Sequence, residues 1–442
     1  MLSALSPLCG VVMSDSSRVP FRAWVITAAG MAVNLCLGIL YAWSVWKANL
    51  TSKESPPGTP MTGLNEGWSY LSDAEATWAY ALCGFVFALC MIPGGRIQDR
   101  YGPRVGAILG GLFLAIGCLV AGFSQSYIGL ILGFGILGGI GMGFGYAAAT
   151  PAAVKWFGPH RRGLIVGLVV GGYGGAAIYI APLARYLIAN YGLTGSFVAL
   201  GLLFAVVIVL AGMLLVRPPA GYVPPGPPKP VDSAKPAPAA IVDMSPRQML
   251  GTWQYFALVF LFIGSAQSGL LVIANATVLL KQSAAPGGFF ATNDWLLATF
   301  GGLVNALGRV GTGFYSDRVG RPQAYAINGI LAILALLALP AVIAEQSPLL
   351  LFLLCGIAYW QYGGGLALLP AWTADYFGAK NLGQNYGLVF LGWGIAFMVP
   401  LLGGYVKDMT GSGTVAFYFS AGLLIVAVIV SRWIRRPAGP TI

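Results

Sequence analysis

Apolar residues run through this chain in long blocks, with polar and charged residues gathered into short clusters between them. The blocks lie near 22–46, 75–95, 104–124, 127–154, 163–190 and 194–216, and after an interruption near 250–280, 294–315, 322–344, 348–374, 385–406 and 413–431. A helix rises about 1.5 Å per residue, so roughly 20 apolar residues cover a hydrocarbon layer about 30 Å thick. The pattern predicts an all-α membrane protein with twelve transmembrane helices in two sets of six. The interruption at 217–249 contains PPAGYVPPGPPKP and AKPAPAA. Proline removes amide donors and stiffens the chain into extended segments, so this stretch reads as a linker. The expected division is a tail over 1–21, a first bundle over 22–216, the linker over 217–249, a second bundle over 250–431 and a tail over 432–442.

Composition narrows the class. Charged residues make up 8% of the 442 residues and hydrophobic ones 57%, against about 25% charged in a soluble domain. That excludes a soluble enzyme, a disordered chain and a disulfide scaffold. The six Cys lack CxxC or metal-like spacing and lie mostly in apolar runs, so they read as packing residues. No metal and no cofactor is expected. Neither HExxH nor a nucleophile–base constellation supports an enzyme.

A net charge of +11 would suggest nucleic acid if the protein were soluble. Here it follows the membrane. Of the 24 Lys and Arg, 18 fall at the face carrying both termini and the linker, whereas Lys47, Lys53, Lys281 and Lys407 fall at the other. Basic residues accumulate on the cytoplasmic side, so both termini are expected there, in a multi-pass protein of the cell membrane. Nucleic acid is not an expected partner.

The second-to-third helix junction reads Gly95-Arg96-Ile97-Gln98-Asp99-Arg100-Tyr101-Gly102, and the eighth-to-ninth reads Gly313-Phe314-Tyr315-Ser316-Asp317-Arg318-Val319-Gly320. Both fit G-x-x-x-D-R-x-G at matching places in the two halves. Asp99, Arg100, Asp317 and Arg318 are therefore candidate gating residues. With six-plus-six spans and a polar central linker, the chain resembles the major facilitator superfamily, which implies that the two sets are pseudo-symmetric six-helix bundles. Tyr41-Ala42-Trp43-Ser44-Val45, Trp156-Phe157 with Arg161-Arg162-Gly163-Leu164, Asp375-Tyr376-Phe377-Gly378 and Asn385-Tyr386-Gly387 are similar to the branch of monocarboxylate transporters and oxalate:formate antiporters. The resemblance implies a secondary transporter of small monocarboxylates such as lactate or pyruvate, coupled to protons, monomeric in the bilayer and working by alternating access. An organic anion antiporter of the oxalate:formate kind is the alternative.

Two cations stand inside predicted spans, Arg185 and Arg309. A mid-helix Arg costs about 2.5–3.5 kcal/mol on insertion scales and usually faces a cavity or the bundle interior. Helical spacing puts Gly302, Asn305, Arg309 and Thr312 on one face and Leu303, Leu307, Val310 and Phe314 on the other. A guanidinium stays protonated and grips a carboxylate through two parallel hydrogen bonds. Arg309 is the expected anion anchor; otherwise it snorkels to the cytoplasmic end or braces Asp317. Arg185 lies near the outer end of its span, within snorkelling reach, and reads as an interfacial anchor.

Substrate contacts are expected from Asn305, Tyr41, Tyr146, Tyr359 and Trp393 beside Arg309, with Asn34, Asn275 and Tyr362 as further candidates. Trp393 stands where the resemblance to oxalate exchangers would place a second cation, and Asn305 where monocarboxylate transporters carry an acid. One cation suits one carboxylate, since a second buried carboxylate would lack a partner. None of the thirteen Asp and Glu lies in the core of a span. A transported proton would ride on the substrate or a site water, or involve Asp375. Gly167, Gly171 and Gly175 form a small-xxx-small ladder that predicts close helix approach.

Overall fold

The computed structural model describes residues 19–52, 54–157, 162–219, 221–224, 243–378 and 381–437. The tail over 1–18, the middle of the linker at 225–242, and the side chain of Asp99 lie outside the described residues.

The long helices follow the apolar blocks. The first half comprises α1 (Phe21–Leu50), α2 (Asp73–Tyr101), α3 (Pro103–Ser124), α4 (Tyr127–Val154), α5 (165–191) and α6 (193–214). The second comprises α7 (Trp253–Ser283), α8 (Leu296–Val319), α9 (Arg321–Ala344), α10 (Pro348–Phe377), α11 (Gln384–Thr410) and α12 (Thr414–Trp433). Helices α5 and α6 run on without a loop and are separated only at Gly192, whose φ of 69° breaks the helix. Ten segments among the described residues are long and apolar enough to cross a membrane. One of these, 165–214, holds two crossings, and α8, with its buried Arg309, completes the twelve-helix architecture.

Local chemistry explains the boundaries. Ser72 and Glu75 form a capping box at the start of α2, and Pro occupies the first turn of α3, α9 and α10, where the missing N–H costs nothing. The repeated octet also has a backbone reason. Its last glycines, Gly102 and Gly320, stand at φ of 97° and 92°, each at the break between two antiparallel helices. A side chain is strained at such angles, so the tight reversal selects glycine.

One apolar core runs through both halves, which meet along three main seams: α1 with α7, α2 with α11, and α5 with α8. Polar bonds between the halves, among them Tyr41 with Tyr362, Ser44 with Thr277, Lys47 with Asn275 and Lys407 with Asp73, lie at mid-height or near the end bearing residues 51–72, opposite the linker and termini. The glycine ladder of α5 is corrected by the structure. A Cβ at Gly167 or Gly171 would meet nothing within 4 Å, and one at Gly175 would touch only Ile178 of the same stretch. The close approaches are made by neighbouring glycines, Gly172 against Met31 and Gly174 against Arg309.

Candidate substrate site

Helix α8 presents the two faces its sequence implies. Gly302, Asn305, Arg309 and Thr312 are buried, while Leu303, Leu307, Val310 and Phe314 are exposed on the lipid-suited side. Arg309 stands thirteen residues after Leu296, about 20 Å along the helix. It neither snorkels nor reaches Asp317, which pairs instead with Arg321 at 2.7 Å; Arg321 also meets Asp375 at 3.3 Å. Arg318 lies over the ring of Phe314, and Arg100 over that of Tyr101.

The guanidinium is held from three sides. Nε donates to Asn305 Oδ1 at 3.3 Å, Nη1 to the Val170 carbonyl of α5 at 3.2 Å, and Nη2 to the Tyr41 hydroxyl of α1 at 3.3 Å. Access past α5 depends on Gly174, where a Cβ would stand 3.3 Å from Nε and 3.4 Å from Cζ. Tyr41 is carried to this position by a tightened 3-10 stretch, Gly38–Ala42, at the level where Gly38 lies against Tyr173 and Ala176. The hydroxyls of Tyr41 and Tyr362 bond at 2.6 Å across the two halves, and Trp393 Nε1 donates to Tyr362 at 2.8 Å. Four side chains from α8, α1, α10 and α11 thus form one connected polar chain.

This cluster has more donors than acceptors. A guanidinium has five N–H groups; three bond to Asn305, the Val170 carbonyl and Tyr41, and the Tyr146 hydroxyl is a further hydrogen-bonding neighbour. In the tyrosine pair one hydroxyl donates to the other, and Tyr362 already accepts from Trp393, so one O–H has no acceptor among the described residues. The Tyr359 hydroxyl is buried without a partner. Among the described residues no ion pair joins an acid to Arg309: Asp73 pairs with lysines, and Asp317 and Asp375 with Arg321. A net positive, donor-rich pocket without a carboxylate suits an anion that brings its own acceptors.

A cavity lined by Tyr41, Ile273, Ala298, Gly301, Gly302, Asn305 and Tyr359 adjoins the guanidinium. Its volume of about 10 Å³ has room for about one water, so the pocket is contracted and a carboxylic acid enters only with local movement. On the linker side an aromatic layer covers it: Phe390 stacks on Trp393 (4.9 Å) and Tyr146 (6.5 Å), and Phe87 lies edge-on to Trp393 (5.0 Å).

Of the expected contacts, Arg309, Asn305, Tyr41 and Tyr359 are brought together at the cavity. Tyr362 stands one bond behind it and Trp393 two, and Tyr146, in the aromatic cover, is a hydrogen-bonding neighbour of Arg309. Two candidates lie elsewhere. Asn34 donates to the Val169 carbonyl at 2.8 Å and ties α1 to α5, and Asn275 accepts from Lys47 at 2.8 Å near the end bearing residues 51–72. Arg185 is an electrostatic neighbour of Asp294; burial pushes that carboxyl above its ordinary range while Arg185 and Lys281 pull it down. Ile273, Ala298 and Gly301 were not legible as site residues, because apolar and small residues are common on every buried helix face.

The placement of Lys47 is also corrected. Its position suggests the outer aqueous face, but α1 continues to Leu50 and leaves Lys47 1% exposed. The apolar Val45-Trp46 and Ala48 around it were the available signal that the helix had not ended.

Prediction for the cluster: Tyr362→Phe removes the hydroxyl that joins Trp393 to Tyr41. A lost hydrogen bond of this kind is worth about 0.5–1.5 kcal/mol, so uptake assays on the purified variant are expected to show KM raised about three- to tenfold with folding intact. Gly174→Val would displace the guanidinium more, raising KM at least tenfold while leaving the thermal transition within a few degrees.

Two six-helix halves meeting around a buried, donor-rich site make this a membrane carrier. The profile of the Major Facilitator Superfamily matches residues 23–362 and 290–442, and the chain belongs to that family. It is a multi-pass membrane transporter and not an enzyme. The chain is 27% identical over 408 residues to the oxalate:formate antiporter of Oxalobacter formigenes, covering 92% of this chain and 88% of that protein. It is 25% identical over 389 residues to monocarboxylate transporter 12 of Rattus norvegicus, covering 82% and 79%. Over 373 residues it is 25% identical to the uncharacterized MFS-type transporter YhjX of Escherichia coli, covering 84% and 85%. The fold is similar to a bacterial homolog of the human lysosomal transporter Spinster in an inward-facing conformation (TM-score 0.64, 15% identity, 94% of this chain and 96% of that one). It is equally similar to the xylose transporter XylE from E. coli in a partially occluded inward-open conformation (TM-score 0.64, 14% identity, 94% and 100%).

Proposed function

We propose that this chain transports small monocarboxylates of the lactate or pyruvate type by alternating access, with the substrate carboxylate held by Arg309. The observation that carries this reading is the donor surplus around one buried cation, which includes the unbonded Tyr359 hydroxyl and at least one spare guanidinium N–H group. A carboxylate arriving there accepts from Arg309 in the two-bond geometry that guanidinium favours. Tyr41, Asn305 and Tyr359 complete its shell, and Ile273 and Ala298 lie against its alkyl end. Trp393 supports the choice of one negative charge: its indole is bonded to Tyr362, and the position supplies no second cation.

The basic residues gathered at the linker face support cytoplasmic termini in the cell membrane. Proton symport rests on likeness to the monocarboxylate transporters, and monomeric function on the self-contained two-half fold. Exchange of the oxalate:formate kind is the second reading, favoured by the antiporter among the relatives. The test is uptake of labelled lactate into proteoliposomes with the pH set on each side. Saturable uptake driven by an inward proton gradient, with acidification of the lumen, is expected. Uptake that needs a counter-anion inside and ignores the gradient would establish the exchanger instead.

A further inference from the structure

The four charges Lys47, Asp73, Lys407 and Asp408 meet where α1 and α2 of one half face α7 and α11 of the other, at the end bearing residues 51–72. Lys47 Nζ lies 3.2 Å from Asp73 Oδ1 and donates to Thr77 at 2.9 Å and to Asn275 of the opposite half at 2.8 Å. Lys407, from the opposite half, pairs with the other oxygen of Asp73. Asp408 accepts from the backbone N–H groups of Asp73 (3.1 Å) and Ala74 (2.9 Å), at the positive end of the α2 dipole. Ser44 with Thr277 at 3.0 Å and Trp78 with Tyr405 at 2.9 Å add neutral crossings beside them.

From this geometry we infer that Asp73, shared between a lysine of each half, is the centre of an ionic latch that holds this end of the carrier shut and determines which side the substrate cavity faces. Lys47 and Asp73 belong to the same half and stay paired when the halves part. Besides the two neutral crossings, the contacts that must break are Lys407 with Asp73, Asp408 with the α2 amides, and Lys47 with Asn275. Each is a charged hydrogen bond, and such bonds are roughly twice as strong as neutral ones. Because Lys47 and Asp73 are largely shielded from solvent (side-chain exposure 2% and 14%), ions in the medium screen them less than an exposed pair. Parting exposes both partners to water, which returns part of that energy, so the latch biases the carrier without freezing it. Loss of the latch therefore shifts the population toward opening at the latch end.

The latch rests on the carrier fold and not on the choice of substrate, and its test reads accessibility without any substrate. In the full chain with its native cysteines replaced, Ala298→Cys places one thiol in the cavity wall. The protein is reconstituted, and a membrane-impermeant thiol reagent is added at the face carrying residues 51–72. Asp73→Asn and Lys407→Met are each expected to speed labelling at least fivefold, the double variant no further than the faster single, and Lys407→Arg to stay near the parent rate. Should Asp73→Asn fail to fold, Lys407→Met and Asp408→Asn carry the test, since both leave the Lys47–Asp73 pair in place. Unchanged labelling in the folded variants, or effects of the two single variants that multiply in the double, would overturn the latch.

Discussion

Arg309→Ala is expected to abolish saturable carboxylate uptake while leaving the protein folded, and Arg309→Lys to retain at most about one hundredth of it. Removing one partner of a buried, charged hydrogen-bonded pair costs about 2–5 kcal/mol, and each 1.4 kcal/mol is a factor of ten. Lysine restores the charge but not the planar fork, and a single ammonium cannot bond Asn305, the Val170 carbonyl and Tyr41 while also gripping a carboxylate. Folding survives the alanine change because the deletion takes away a buried charge along with its bonds, which relieves a desolvation cost. Equilibrium binding of labelled lactate and uptake into proteoliposomes, measured beside the thermal transition, check this. An Arg309→Ala protein that still concentrates a carboxylate saturably would refute the site.

The second large effect is on assembly. Gly363→Ala is expected to cost at least about 3 kcal/mol and to lower the thermal transition markedly, with transport lost. A Cβ at Gly363 would overlap the backbone carbonyl of Asn305, the residue one turn from Arg309 on α8. Backbone yields less readily than a side chain, and overpacking typically costs about 1–3 kcal/mol, occasionally more. Relief requires α8 and α10 to separate, which moves Asn305 and Arg309 away from Tyr41 and Tyr359. Gly171→Ala is the matched control: its Cβ meets nothing within 4 Å, so its transition and uptake are expected to follow the parent. Equal melting of the two variants, followed by fluorescence or circular dichroism, would contradict this packing.

Much of the architecture was legible in the chain because a bilayer leaves few choices. Backbone groups in hydrocarbon bond within helices, so apolar length alone marks the crossings, and the doubled octet marks equivalent turns. The polar face of α8 was legible too, since helical periodicity is local. Other parts were not. The ladder at Gly167 and Gly171 looked like a helix contact and faces open space, because spacing says which residues share a side and not what lies opposite. Asn34 and Asn275 looked like site residues and bond elsewhere for the same reason.

By itself, then, the sequence determined that the chain crosses a membrane many times in two related halves, and that one arginine sits deep among apolar residues. Only the tertiary structure decided that this arginine meets Tyr41, 268 positions away in the chain, that Tyr41 meets Tyr362, 321 positions away, and that Lys47 is buried against Asp73 and Asn275. The physical reason is range. Burial in lipid and helical phase depend on a residue and its near neighbours, whereas a hydrogen bond between halves depends on how the two halves pack against each other.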